Sequence, residues 1–160
     1  MRTLGHVITS AGVSLATYTR YRSPGAALAS FLAGTLIDLD HIFDYVKAHG
    51  WRFSWFHFNE ACHEKYSGKL YLPLHSYELL ALFFFFLRGP ALQPYRVGVT
   101  LSILTHLLLD QHCNPGRSRL TYFLGNRIHK GFDANRLLSE RVYHGTTTTL
   151  PKAREVVKSF

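Results

Sequence analysis

A chain of 160 residues is long enough for one domain with its own core, and 47% apolar against 18% charged residues excludes both a disordered chain and an ordinary hydrophilic surface. Eighteen Lys and Arg against ten Asp and Glu give a net charge of +8, with nine of the basic and three of the acidic residues lying from Pro115 onward. Cys62 and Cys113 form neither a CxxC pair nor a disulfide framework, so the outlying residue type is histidine, present ten times.

A first helix is expected over residues 3–18, and its short, broken apolar core does not read as a secretory signal. The second opens at Pro24, behind Ser23 as cap, and runs to His41. Residues 49–69 are aromatic and histidine-rich without a steady period, and read as an inserted loop. The third helix covers 73–87 and stops at Arg88, Gly89 and Pro90. The fourth begins after Pro94, reaches Asp110 and is ended by Asn114, Pro115 and Gly116. Short connections at 19–23 and 88–94 imply antiparallel neighbours, hence an all-α, up-and-down four-helix bundle over 1–116. Residues 117–160 then form a basic, irregular C-terminal extension, with a short helix from Pro151, packed on or flanking that domain. Three apolar segments, 24–39, 72–87 and 97–109, fall short of the ~18–20 clean apolar residues of a membrane span. Polar groups inside them must face a protein interior.

Those polar groups fall in a pattern. His6 starts the first helix, Asp38, Asp40 and His41 end the second, His75 and Glu78 start the third, and His106 and Asp110 end the fourth. In an up-and-down bundle these four places share one pole. His106 and Asp110 stand one helical turn apart, on the line continued upstream by Val99 and Ile103. Asp38 and His41 extend the line of Ala27, Phe31 and Gly34; Asp40 points elsewhere unless the helix ends at Asp38 and the turn brings it back. A lone histidine on an apolar face is most often a hydrogen-bonded core residue, but four stretches converging on one pole point to a metal site. The candidate ligands are His6, Asp38, His41, His75, His106 and Asp110, with Asp40, His57, His63 and Glu64 as weaker ones. Imidazole and carboxylate without thiolate suit a divalent ion, zinc first, one or more per chain, with manganese or iron also fitting. Asp40 or Glu78 is the candidate general base; Glu78, directly before an apolar run, needs a metal, an Arg or a proton. His49, His112, His129 and His144 lie in polar context and read as surface residues.

The ordered set of "GH" (5–6), "DLDH" (38–41), "LHSYE" (74–78) and "HLLLDQ" (106–111) resembles the family of membrane-bound metal-dependent hydrolases, also named LexA-binding, inner-membrane-associated hydrolases. The resemblance covers residues 3–116, and the family is distantly similar to zinc-dependent phospholipase C, an all-helical fold with His and Asp ligands. Carried over by position, it implies His6, Asp38, Asp40, His41, His75, His106 and Asp110 as site residues. The chain departs from the family in "YLPLHSYE" (71–78) and in the length of the 49–69 insertion.

The leading reading is a metal-dependent hydrolase of a phosphoester, lipid-like or small, at an inner or cytoplasmic membrane, with Arg52 and the basic tail drawing in negative charge. The alternative is a non-catalytic, membrane-associated metal-binding or regulatory protein in the membrane or the cytoplasm. Anionic lipid is the expected surface partner, and nucleic acid ranks last because no recognition motif accompanies the charge.

Overall fold

In the computed structural model, which describes residues 3–51, 53–56, 58, 69–113 and 118–138, the Ser23 hydroxyl accepts a hydrogen bond from Ala26 N at 3.3 Å and Pro24 takes the first turn. This cap opens α2 (Pro24–Leu36) directly behind α1 (Thr3–Tyr21), and the tight corner makes the two helices antiparallel neighbours. A 3₁₀ turn (Ile37–Leu39) follows, then α3 (Asp40–His49), α4 (Tyr77–Phe86), a second 3₁₀ turn (Pro90–Leu92) and α5 (Gln93–Cys113). Two short helices, α6 (Leu124–His129) and α7 (Ala134–Leu137), complete the described chain. The architecture is all-α. Helices α1, α2 and α5 pack against one another, and α4 packs on α5.

The boundaries differ from the sequence expectation for physical reasons. The second helix is α-helical only to Leu36; three tighter residues turn the chain before α3, and Asp40 comes back toward the site as that turn allows. The third starts at Tyr77 rather than at Pro73, because the Ser76 hydroxyl caps it by accepting from Leu79 N. Residues 70–76 are therefore irregular chain. The described part of the C-terminal extension is not an irregular flank. Thr121, Tyr122, Arg127, Ala134 and Leu137 are buried, and an antiparallel bridge joins Lys69 to Asp133. Arg52, His57, His63, Glu64, the terminator at 114–116 and the extension from 139 onward lie outside the described residues.

The interior between α1, α2 and α5 is small and polar. Ser10, Thr17, Ser30 and Ser102 are buried, while Leu4, Ile8 and Leu15 of α1 are each more than 60% exposed. Ser14 Oγ donates to Ala27 O at 2.7 Å and Ser30 Oγ to Gly98 O at 2.9 Å, so hydroxyls bond across helices. Outward-facing Leu28, Leu32 and Leu36 repeat the pattern on α2, and Leu101 and Leu108 on α5. The helical stretch 24–47 is long and apolar enough to cross a membrane, a property that core helices and signal sequences share. An apolar cluster of Ile37, Leu80, Leu107 and Tyr122 sits where the 3₁₀ turn, α4 and α5 meet, under the site.

Gly34 is held where α1, α2 and α5 come closest: a Cβ there would collide with the hydroxyls of Ser10 and Ser102. Gly34→Ala is expected to destabilise the protein by about 1–3 kcal/mol through overpacking. Gly12→Ala, with open space around it, serves as the control and should be neutral or slightly stabilising in thermal melts.

Candidate metal centre

Each polar residue of the pole arrives on a different element. His106 and Asp110 lie one turn apart on the buried face of α5, continuing Val99 and Ser102. His6 comes from the first turns of α1, Asp38 from the 3₁₀ turn, Asp40 and His41 from the start of α3, and His75 from the irregular segment before α4. All of them are buried except Asp38 and His41, whose side chains are 31% and 29% exposed and form the rim.

Four atoms converge. His106 Nε2 lies 3.2 Å from Asp38 Oδ1 and 3.4 Å from Asp110 Oδ2, and His75 Nε2 lies 3.4 Å and 3.3 Å from the same two oxygens. Ligands held about 2.0–2.1 Å from a tetrahedral ion are about 3.3–3.4 Å apart, and these four separations match that spacing. Both Nε2 atoms are buried and neither has a hydrogen-bond partner of proper geometry. They point at a shared centre rather than along a donor–acceptor line.

The other ring nitrogens are anchored. His106 Nδ1 lies 2.8 Å from the Gly34 carbonyl, and His75 Nδ1 lies 3.0 Å from the Asp40 carboxylate. A proton on each Nδ1 donates to those acceptors and leaves Nε2 free as a ligand, the usual support for a metal-binding imidazole. His6 Nε2 lies 3.0 Å from Asp110 Oδ1, the oxygen turned away from the centre, and its ring stacks on His106 at 3.9 Å. His41 Nε2 is 3.8 Å from Asp38 Oδ1, and its ring meets His75 edge-on. A second grouping, Asp40, His41 and His75, also brings three donor atoms within 4.8 Å. It shares His75, whose two ring nitrogens face the two groups.

Without an ion, the cluster is a set of buried ion pairs. Burial pushes both imidazoles down, but the negative charge of the facing Asp110 and Asp38 carboxylates outweighs it, raising His106 to about 9 and His75 well above its ordinary value. Burial likewise pushes Asp38 and Asp110 up, and the facing imidazoles more than reverse this, holding both well below the usual carboxylate range.

No protein-family model, curated protein or solved structure matches the chain.

The donor set itself fits a metal. Two imidazoles and two carboxylates suit Zn²⁺, Mn²⁺ or Fe²⁺ and disfavour thiophilic ions. Glu78 is placed elsewhere than expected. Its carboxylate accepts from Leu124 N at 2.8 Å, Gly125 N at 3.0 Å and the Ser76 hydroxyl, and so caps α6. Burial pushes its pKa up, but the Gly125 and Leu124 amides and the Ser76 hydroxyl together more than offset this and hold the carboxyl below its ordinary value.

Several residues of the site escaped the sequence reading. The Asp44 carboxylate, pushed up to about 6 by burial, accepts the amides of Tyr71 and Leu72. Arg127, 1% exposed, donates to carbonyls of the segment that carries His75. The signal for Asp44 was its spacing of one turn from Asp40, and for Arg127 a single Arg between Leu124 and Ile128.

Proposed function

We propose that the protein is a membrane-associated, metal-dependent hydrolase of a phosphoester with an apolar part. The observation that carries this reading is the convergence of His75 Nε2, His106 Nε2, Asp38 Oδ1 and Asp110 Oδ2 at tetrahedral-edge distances. Zinc suits that set best; a divalent ion bound there supplies Lewis acidity toward a phosphoryl oxygen and an activated water. The chain's own residues do the rest. Asp40 and the Gly34 carbonyl fix the imidazole orientations, and His6 holds the outer oxygen of Asp110. His41, at the rim beside Asp38, is placed to exchange a proton with a substrate entering there. Asp40 has no such access, since it is buried and engaged with His75 and Leu74.

The sequence neighbours of the ligands support an amphiphilic substrate. Leu39 and Leu74, the chain neighbours of Asp38, Asp40 and His75, are about half exposed, so apolar surface adjoins the residues that carry the site. The outward leucines of α1, α2 and α5, the helical stretch 24–47 and the net charge of +8 favour association with a membrane of anionic headgroups. The ordered motifs that resemble the membrane-bound metal-dependent hydrolases point the same way.

The test is metal analysis and hydrolysis with detergent-purified protein, using an aryl phosphodiester and a short-chain phospholipid. At least one ion per chain and hydrolysis abolished in His106→Ala are expected. An ion bound without hydrolysis of either compound would instead establish the second reading, a metal-binding regulatory protein. One observation favours that alternative: four protein donor atoms lie within 4.8 Å of one another, the number that a closed structural site uses.

A further inference from the structure

The segment that carries His75 is neither helix nor strand, yet Leu72, His75 and Ser76 are buried in it. Its backbone must therefore find polar partners among side chains. The amides go to two carboxylates one turn apart on α3: Tyr71 N and Leu72 N donate to Asp44, and Leu74 N and His75 N donate to Asp40. The carbonyls go to one guanidinium. Arg127 Nη1 donates to Tyr71 O and Leu72 O, and Nη2 donates to His75 O at 2.7 Å. Leu72 sits at φ +39°, a left-handed conformation that a leucine rarely adopts and that its neighbours must impose. Carboxylates on the amide side and a guanidinium on the carbonyl side grip the peptide from both edges.

We propose that Arg127 is a positioning residue for the metal centre: by holding the His75 carbonyl together with Tyr71 O and Leu72 O, it sets where His75 Nε2 stands. This inference rests on the reading of His75 as a ligand. The planar fork is what the task needs, because its two terminal nitrogens reach carbonyls three and four residues apart along the chain; a lysine ammonium is a single point and cannot span them with the same geometry. The guanidinium lies within the field of Asp40 and Asp44, so the buried positive charge is balanced by the residues that grip the amides. One consequence is that an element far along the chain, α6, controls the geometry of a centre whose other donors come from the 3₁₀ turn and α5.

The full-length protein in detergent is titrated with Co²⁺, whose visible bands report tetrahedral coordination, for the parent, Arg127→Lys and Arg127→Met. Helix content from circular dichroism identifies the folded variants. In them, cobalt affinity should fall about 10- to 100-fold for Arg127→Met, as for loss of other groups that orient ligands, and less for Arg127→Lys. The tetrahedral bands should weaken in parallel. A residue with a purely structural role would lower the melting temperature and leave both readouts of the folded protein unchanged, and that result overturns the proposal. If Arg127→Met does not fold, parental affinity and spectrum in Arg127→Lys overturn it equally. Failure of the parent to bind Co²⁺ would strike the metal reading instead. Amide hydrogen exchange at Tyr71, Leu72, Leu74 and His75 in metal-free protein then decides the grip itself: selective loss of protection in Arg127→Lys upholds it, and unchanged protection overturns it.

Discussion

Replacing Asp110 by Asn is expected to lower metal affinity at least about 100-fold, beyond the range seen when groups that merely orient ligands are lost. Asp110 faces three imidazoles at once: His75 and His106 through Oδ2, and His6 through Oδ1. Asparagine keeps the volume and one acceptor oxygen. It removes the negative charge that an ion or two imidazolium rings require, and it turns an amide donor toward one of the rings. The metal-free variant should also be destabilised, because buried imidazoles that have lost their counter-charge must give up their protons or stay unpaired. Metal content after purification and calorimetric titration with Zn²⁺ check the expectation. Full occupancy in Asp110→Asn would show that the carboxylate orients the site without ligating.

The second large effect is on pH. With His106 raised to about 9 and His75 well above its ordinary value, both rings are protonated at neutral pH when no ion is bound. An ion must displace both protons, so roughly two should be released per ion at pH 7, and log affinity should climb by about two for each pH unit on the way to 9. Titrations in buffers of different ionisation enthalpy measure that number directly; release of no protons would mean the rings are already neutral. The metal-free fold should show the opposite trend. The raised imidazoles contribute stability fully below their unfolded pKa of about 6.5; the part due to His106 is lost as pH rises through about 9, and that of His75 as pH rises through its own raised pKa. The depressed Asp38 and Asp110 contribute above about pH 4 and lose that contribution on further acidification. The contribution of these four groups to the metal-free protein should therefore be greatest between about pH 4 and 6.5, and bound zinc should reverse its decline toward pH 9.

Much of the site was legible because spacing and topology constrain it together. One helical turn between His106 and Asp110 fixed their shared face, and the short connections forced four helix ends to one pole. The setting of His75 was not legible. Pro73 reads as a good first helical residue, yet Ser76 offers a hydroxyl to Leu79 N, and a satisfied cap outranks a permissive proline. Arg127 was hidden because its segment was counted as a charged flank, and a pattern that scores arginine as surface cannot see three buried carbonyls waiting for it. The small polar interior also ran against ordinary expectation: on α1 and α2 the amphipathic stripe exists, but serine, threonine and glycine face inward while leucine faces out.

That reversal redraws the map of tolerated change along the three long helices. At Ile8, Leu15, Leu28, Leu32 and Leu101 the side chains stand outside the helix contacts, so exchange among Leu, Ile, Val and Phe alters little inside the molecule. Ser10 and Ser102 are buried against Gly34 and Ser30 against Gly98, so larger side chains at these three positions should be disfavoured. In a lineage of such chains, the variable columns would be the greasy ones and the fixed columns the small hydrophilic ones.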